Sequence, residues 1–388
     1  MDSIPPTADE LLASARALRP LIEAEAPAIE RARRITPPVV EALRKAGIYR
    51  MIVPRSLGGS ELDLLSYSKV MEALAMADGS TAWCVGQNSG VCRTSGYMPR
   101  AGAEEVFGSP NSIHSWGNGP ATAHPVEGGY VVNCKLSFSS GMHHATWLGC
   151  QDLDVYDEHG NVVSIKRGET HRGICFFRPE DTTITEMWQV SGLRGTGSDS
   201  YAVTDLFVPK HRFAVDECQE PGPLYVLSST NLFSVGFASV ALGIARATLD
   251  ALIEMTARKT PRGAGATMRD LTRVQAGLGV MEATYRSARA LLHETIQTSW
   301  DEVCLTRQRT MEMRINLRMA TTYAMQQAAD VVDAAYKAAG VDAIFDKNAF
   351  ERRFRDMHAV SQHIQARDDH FERVGQFLMG LDPDRGWL

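Results

Sequence analysis

The sequence predicts a mainly α protein with a central β-barrel. An N-terminal helical domain is expected over 1–118, a middle antiparallel β-barrel over 119–222 and a C-terminal four-helix bundle over 223–388. Three observations carry this. The chain has 388 residues, which suits two or three units better than one small core. Apolar residues recur at helical spacing near both ends of the chain. Between about 120 and 210 the period falls to two, and turn residues separate short runs.

The N-terminal elements have local signals. Thr7-Ala8-Asp9-Glu10 has the form of a capping box: the Thr7 hydroxyl can accept from an early helix N–H, and Glu10 can reach back. Leu11, Leu12, Ala15, Leu18, Leu21 and Ile22 follow as an apolar face. Pro37-Pro38 opens a second helix, where a missing N–H costs nothing. Gly58-Gly59 precedes a helix through Leu64, Tyr67, Val70, Met71 and Leu74, and another runs from about Ser80 to Val91.

In the middle segment Tyr130, Val132, Cys134, Leu136 and Phe138 share one face of a strand. Further strands are expected at 162–165, 173–177, 182–188 and 201–208. Short strands without intervening helices argue for an antiparallel barrel or sandwich. Beyond Pro221-Gly222-Pro223 the helical period returns. Leu271, Val274, Leu278, Met281, Tyr285, Ala288 and Leu292 make one stripe; Ile315, Met319, Thr322, Gln326, Ala329, Val332 and Tyr336 make another. A last helix is expected from about 349 to 379. Helices of this length need one another's apolar faces, so a bundle follows.

Composition excludes several classes. Apolar residues are 44% and charged residues 22%, as in globular rather than disordered chains. A net charge of −6 argues against a nucleic-acid partner. No apolar run approaches the roughly 18 residues that span a bilayer; Val235–Ile244 is interrupted by Gly236, Ser239 and Gly243. Met1–Pro6 has neither the basic nor the apolar region of a signal peptide, so a cytoplasmic location is expected. The seven cysteines form no C-x-x-C pair and are expected to be reduced thiols.

Four stretches then carry a resemblance. They are Gly79-Ser80-Thr81-Ala82-Trp83; Glu127-Gly128-Gly129-Tyr130 with Phe138-Ser139-Ser140-Gly141-Met142-His143-His144-Ala145-Thr146-Trp147; Gly192-Leu193-Arg194-Gly195-Thr196-Gly197-Ser198 with Leu206-Phe207-Val208-Pro209; and Arg353-Phe354-Arg355-Asp356 with His358 and His363. In this order the chain resembles the acyl-CoA dehydrogenase superfamily over its whole length, and its branch of flavin-dependent two-component monooxygenases most. The departure is informative. Acyl-CoA dehydrogenases commonly carry a catalytic glutamate after the Arg-Asp motif, whereas here no carboxylate lies between Asp356 and Asp368. His363 best fits the histidine that the monooxygenase branch has there.

The resemblance implies an oxygenase component that uses reduced FMN or FAD and O2, through a C4a-(hydro)peroxyflavin, to hydroxylate a small aromatic or polycyclic substrate. N- or S-oxygenation on the same scaffold is the alternative. Acyl-CoA dehydrogenation, or a non-catalytic protein using the flavin pocket, is the alternative of another class. Ser140 would accept a hydrogen bond from the flavin N5–H, although Ser-Ser-Gly is also ordinary turn chemistry. Phe138, Ser139 and Trp116 would lie near the same ring. Arg258 would meet flavin phosphate, and Gly340-Val341 would approach the flavin of a neighbouring subunit in a homotetramer. Trp83, Asn88, Met142 and His143 are the candidate substrate pocket. His363 is the candidate acid–base; on one continuous helix His358 would point about 140° away from it. His143-His144 is a poor metal site, because adjacent side chains diverge and no carboxylate or cysteine completes a set. Gly192–Gly197 is not a G-x-G-x-x-G fingerprint and precedes a strand, so no NAD(P)H site is found. Electrons are then expected from a separate NAD(P)H:flavin reductase.

Overall fold

The computed structural model describes residues 4–164, 173–386 and 388. Six helices come first: α1 (Ala8–Ala17), α2 (Arg19–Ala32), α3 (Pro37–Lys45), α4 (Leu64–Ala77), α5 (Gly79–Cys92) and α6 (Arg100–Phe107). The strands follow as β1 (His114–Gly117), β2 (Ala121–Val126), β3 (Gly129–Leu136), β4 (Trp147–Cys150), β5 (Asp154–Val155), β6 (Cys175–Phe177), β7 (Thr183–Thr185) and β8 (Ser200–Pro209). The chain ends in α7 (Ser229–Thr256), α8 (Thr272–Thr306), α9 (Met311–Ala339), α10 (Ala349–Ser361) and α11 (His370–Leu378).

The capping box forms at α1: Glu10 N–H donates to Thr7 Oγ1 at 3.3 Å, and Thr7 N–H donates to Glu10 Oε2 at 2.8 Å. Pro37 and Pro38 open α3. Asp78 caps α5 by accepting from Thr81 N–H at 2.8 Å.

The β region differs from the expected antiparallel barrel. Among the described residues it forms two open sheets, β1-β4-β6 and β5-β2-β3-β8-β7. Two neighbour pairs are parallel, β1 with β4 and β2 with β5, so the chain does not meander around a closed wall. Tyr201 of β8 joins the sheets: its hydroxyl accepts from Gly117 N–H of β1 at 3.1 Å and donates to the Gly149 carbonyl of β4. The expected strand at 162–165 is reduced to a single bridge from Val162 to Tyr156, and Ile165 lies outside the described residues. Strand β3 keeps the predicted alternation through Val132, Cys134 and Leu136, all buried. It stops there, and Phe138 departs from the apolar face because its φ of 60° turns the side chain outward.

Helix α7 packs between α4 and α9, and α8 and α10 cover α9. An 18-residue window of α7 reaches a mean hydropathy of 1.6, enough by composition to cross a membrane, but 89% of that window is buried inside the protein. This is a core helix, apolar on every side because it is covered on every side. In α9 the buried face is wider than the predicted stripe: Ile315, Thr322 and Val332 of that stripe are buried, and so are Leu317, Thr321, Ala324, Ala328, Val331 and Ala335, because α7, α8 and α10 all press on it, while Met319, Gln326, Ala329 and Tyr336 are half-buried. The expected last helix is broken. Ser361 donates its hydroxyl back to the His358 carbonyl at 3.2 Å, and His363 is extended, with φ −69° and ψ 147°. Side chain-to-backbone bonds of this kind compete with helix propagation.

A buried carboxylate ties the bundle to the β region. Asp356 Oδ1 in α10 accepts from Leu193 N–H at 2.6 Å. Gly192 lies so close to the Arg355 carbonyl that any Cβ would overlap it. Arg355 binds Glu30 of α2 at 2.5 Å and pairs with Glu351. Burial and the nearby Asp78 carboxylate push Asp356 up to about 7.

A raised carboxylate pKa stabilises the fold at low pH, and that stability is lost as pH rises toward 7. The loss is about 1.4 kcal/mol per pH unit between roughly 4 and 7. Asp356→Asn keeps an oxygen for Leu193 N–H and removes the charge. Its melting temperature relative to the parent should therefore rise from pH 5 to pH 8 in thermal unfolding. A constant difference across that range would show that Asp356 titrates alike in the folded and unfolded chain and is already ionised at pH 5.

Candidate active site

The site begins with two helices that interlock. Glycine inside a helix costs about 1 kcal/mol relative to alanine, yet α5 holds Gly86 and Gly90 one turn apart. Both face α7. A Cβ on Gly90 would overlap the Phe233 ring, and one on Gly86 would come within 3.4 Å of Phe237. The glycines let Phe233 and Phe237 lie along α5 as a stacked pair, 5.7 Å between centroids. Trp83 stacks on Phe237 at 3.8 Å and 6°. His363 stands edge-on to both, 5.1 Å from Trp83 and 4.9 Å from Phe237. Trp116 meets Phe233 at 6.0 Å. The result is an aromatic wall with one imidazole at its edge.

Ser140 joins this wall through Trp83, whose Nε1–H donates to Ser140 Oγ at 3.2 Å. Behind Ser140 lie two more buried hydroxyls. Ser140 Oγ is 2.7 Å from Ser198 Oγ, which is 2.7 Å from Thr196 Oγ1. Thr196 Oγ1 donates to the Leu193 carbonyl at 2.9 Å. Ser139 turns its hydroxyl inward against Gly117, where a Cβ would overlap it. Neither Ser139 Oγ nor Trp116 Nε1 has a hydrogen-bond partner among the described residues, although both are buried. Phe138 is 63% exposed at positive φ, and its ring stands edge-on to Trp188 at 6.1 Å. A large residue in the left-handed region costs roughly 1–2 kcal/mol, and such strain concentrates at functional positions.

His363 is not on a helix, so the helical-wheel separation from His358 does not apply. The two are nonetheless separated. His358 binds Asp333 Oδ1 at 3.0 Å on the half-exposed side of α10. His363 Nδ1 accepts from Gln365 N–H at 3.3 Å. Burial first, and the Arg318 guanidinium second, hold its pKa down to about 4. Arg318 is itself buried and donates to Gln365 Oε1 at 2.6 Å. The ring is therefore neutral at pH 7, and its proton sits on Nε2, because Nδ1 is occupied as an acceptor. With Nδ1 engaged, the neutral ring presents Nε2–H as a donor.

Three candidate pocket residues are otherwise engaged. Asn88 is held to backbone by both amide atoms, donating to the Tyr49 carbonyl at 2.7 Å and accepting from His114 N–H at 2.8 Å. Met142 is buried in the β core with Leu136, Leu148 and Tyr201. His143 Nε2 is 2.7 Å from Asp199 Oδ2, and Asp199 Oδ1 accepts from Met187 and Trp188 N–H at 2.6 and 2.8 Å. Arg258 lies elsewhere. It follows the C-terminal end of α7, pairs with Glu254 at 2.9 Å and is largely exposed. Phe237 is near the other end, roughly 30 Å away at 1.5 Å per residue. Beside Arg258, Lys259 Nζ binds Asp342 at 2.8 Å and the Ala339 carbonyl. This anchors Gly340 and the exposed Val341 at the same end. Sequence reasoning missed Phe233 and Phe237; the paired mid-helix glycines opposite them were the available signal.

The chain matches the family model for the acyl-CoA dehydrogenase N-terminal domain over residues 7–106. It matches the model for the acyl-CoA dehydrogenase C-terminal domain over residues 235–368. It is 27% identical to the indole-3-acetate monooxygenase of Pseudomonas putida, covering 92% of this chain and 91% of that protein. It is 27% identical to the flavin-dependent monooxygenase, oxygenase subunit HsaA, of Rhodococcus jostii, covering 89% of this chain and 92% of that protein. Among solved structures it is similar to XiaF from Streptomyces, in complex with FADH2 and glycerol. The TM-score is 0.87 at 23% identity, covering 97% of this chain and 96% of the other.

The protonation of His363 is directly measurable. Nitrogen-15 NMR of the imidazole should show an Nε2–H tautomer at pH 7 and a midpoint near 4. A midpoint between 6 and 7 would mean that the ring is solvated or flanked by an acid, and the donor assignment would fall.

Proposed function

The chain belongs to the acyl-CoA dehydrogenase superfamily, and on that premise we propose that it is the oxygenase component of a two-component flavin-dependent monooxygenase. The observation that carries this is His363. It stands on the aromatic wall in the segment where dehydrogenases of the family carry a carboxylate base. The carboxylates on either side are committed elsewhere, Asp356 to Leu193 N–H at 2.6 Å and Asp368 to Gln326. Removing an α-proton from a thioester needs a base that this segment lacks.

The residues present fit a flavin ring. Ser140 retains an unused lone pair beside Trp83, Trp116 Nε1 is a buried donor without a partner among the described residues, and strained Phe138 offers an exposed face. Reduced FMN or FAD, when bound, supplies the electrons that activate O2. Around it Ser140 accepts a hydrogen bond, and the wall of Trp83, Phe237 and Phe233 keeps water out and slows stray proton transfer. His363 Nε2–H donates to an oxygen of the substrate or the oxidant. The same wall suits a flat aromatic or polycyclic substrate, by stacking. The work reported in the names of the P. putida and R. jostii relatives, monooxygenation, agrees with this reading.

Arg258 and Gly340-Val341 lie about 30 Å along α7 from the ring site of the same chain. Their bidentate donor and pinned loop would therefore serve the flavin of a second copy, in a homotetramer of the kind the family forms. No G-x-G-x-x-G unit is present for a nicotinamide cofactor, so a separate reductase delivers the reduced flavin.

Two outcomes test the proposal. The purified chain with NADH or NADPH should consume no O2 until a flavin reductase and free flavin are added. With an aromatic substrate under 18O2, the product should then gain one labelled atom. Anaerobic bleaching of bound flavin by an acyl-CoA, without oxygen incorporation, would identify a dehydrogenase instead.

A second prediction follows from the tautomer. His363→Ala should lower product formation by about 10²–10³-fold, the usual cost of one lost transition-state donor. His363→Asn, which keeps an N–H, should recover part of it, and His358→Ala should stay within a few-fold. Equal loss in the Ala and Asn variants would restore His363 as a base.

A further inference from the structure

The hydroxyl chain behind Ser140 has an arithmetic that fixes its direction. Trp83 Nε1–H can only donate, and the Leu193 carbonyl can only accept. Between them stand three hydroxyls, Ser140, Ser198 and Thr196, linked by four contacts of 3.2, 2.7, 2.7 and 2.9 Å. Four hydrogens are available, one on the indole and one on each hydroxyl. All five residues are buried, so an unfilled contact leaves two oxygens facing each other with no solvent to intervene. Only one assignment fills every contact. Trp83 donates to Ser140, Ser140 to Ser198, Ser198 to Thr196, and Thr196 to Leu193.

The assignment spends the Ser140 hydrogen. One of its lone pairs is taken by Trp83, and a single lone pair is left. Ser140 is therefore an acceptor toward anything that enters the site beside it. Reversing the chain, so that Ser140 presents its hydrogen, would leave the contact between Thr196 and Leu193 without a hydrogen.

Resting on the flavin reading above, we infer that Thr196 and Ser198 are positioning residues that hold Ser140 as a hydrogen-bond acceptor and so make the site discriminate in favour of reduced flavin. N5 of reduced flavin carries a hydrogen and can donate, whereas N5 of oxidised flavin has a lone pair and needs a donor. An acceptor fixed at Ser140 matches the first and opposes the second. Discrimination is thus set by a threonine two hydroxyls removed from the cofactor. The 192–198 loop that carries it is held by Asp356 through Leu193 N–H. The same device would let the oxygenase release flavin once it has been oxidised and take up the next reduced molecule.

The test measures affinity for FMN and FAD in both redox states, by anaerobic titration of the full chain, and needs no turnover. In Thr196→Val the Ser198 hydrogen loses its acceptor and can turn to Ser140, which frees the Ser140 hydrogen. The preference for reduced over oxidised flavin should fall by about 2- to 13-fold, the range of one net hydrogen bond. The potential of bound flavin should drop by about 10–30 mV, at about 30 mV per tenfold for two electrons. Thr196→Ser should restore both, which a merely structural role for the threonine methyl would not predict. Ser198→Ala cuts the chain one link nearer and carries the same expectation should the valine variant not fold. An unchanged preference in a folded variant that binds flavin overturns the inference and leaves the proposed function standing. Failure of the parent chain to bind flavin in either state overturns both.

Discussion

The grip of Asp356 on Leu193 N–H is the contact on which the site depends. It is the point at which the C-terminal helices hold the loop between β7 and β8. The grip works at contact distance because residue 192 is glycine, whose absent side chain lets α10 lie directly against the loop. From Leu193 the order passes on. Its carbonyl receives Thr196 Oγ1 at 2.9 Å and Trp188 Nε1–H at 3.0 Å. One branch leads through hydroxyls to Ser140, and the other fixes the indole beside Phe138. A single carboxylate thus sets both the polar and the apolar side of the ring site.

That carboxylate is held in an unfavourable setting. Asp78 adds a like charge nearby, and burial opposes ionisation. Arg352 lies 3.9 Å from Asp78, too far for a strong pair, and Arg355 is shared with Glu30 and Glu351. The buried charges serve geometry more than stability. The same is true across α5, where mid-helix glycines give up helix propensity so that Phe233 and Phe237 can approach.

What was legible in the sequence was local. The Thr7 cap, the Pro37-Pro38 opening and the alternation of Val132, Cys134 and Leu136 each depend on neighbours a few residues away. The lack of any carboxylate between Asp356 and Asp368 was legible because it is a departure within a motif. Partners brought together by folding were not. Asn88 read as a pocket residue because nothing in its neighbourhood shows that residues 49 and 114 will hold its amide. The closed barrel failed because parallel pairing of β1 with β4 is set by where the intervening chain returns, not by strand period. The break after Ser361 carries no proline or glycine; it comes from side chains bonding to backbone. The link from Ser140 to Ser198 spans two motifs whose contact only the fold reveals.

Phe138 carries one more implication. Its backbone sits where glycine is at ease and a phenyl-bearing residue is not, and its ring is left in water. Both conditions reduce the stability of the fold. A population of variants selected only for thermal endurance would accordingly drift toward glycine or a polar residue at this position. It would gain stability and lose the exposed ring that the proposed flavin site uses. On the proposed flavin site, durability and cofactor retention therefore pull in opposite directions at this one residue, and any effort to stabilise the protein would have to leave Phe138 alone and seek its gains elsewhere.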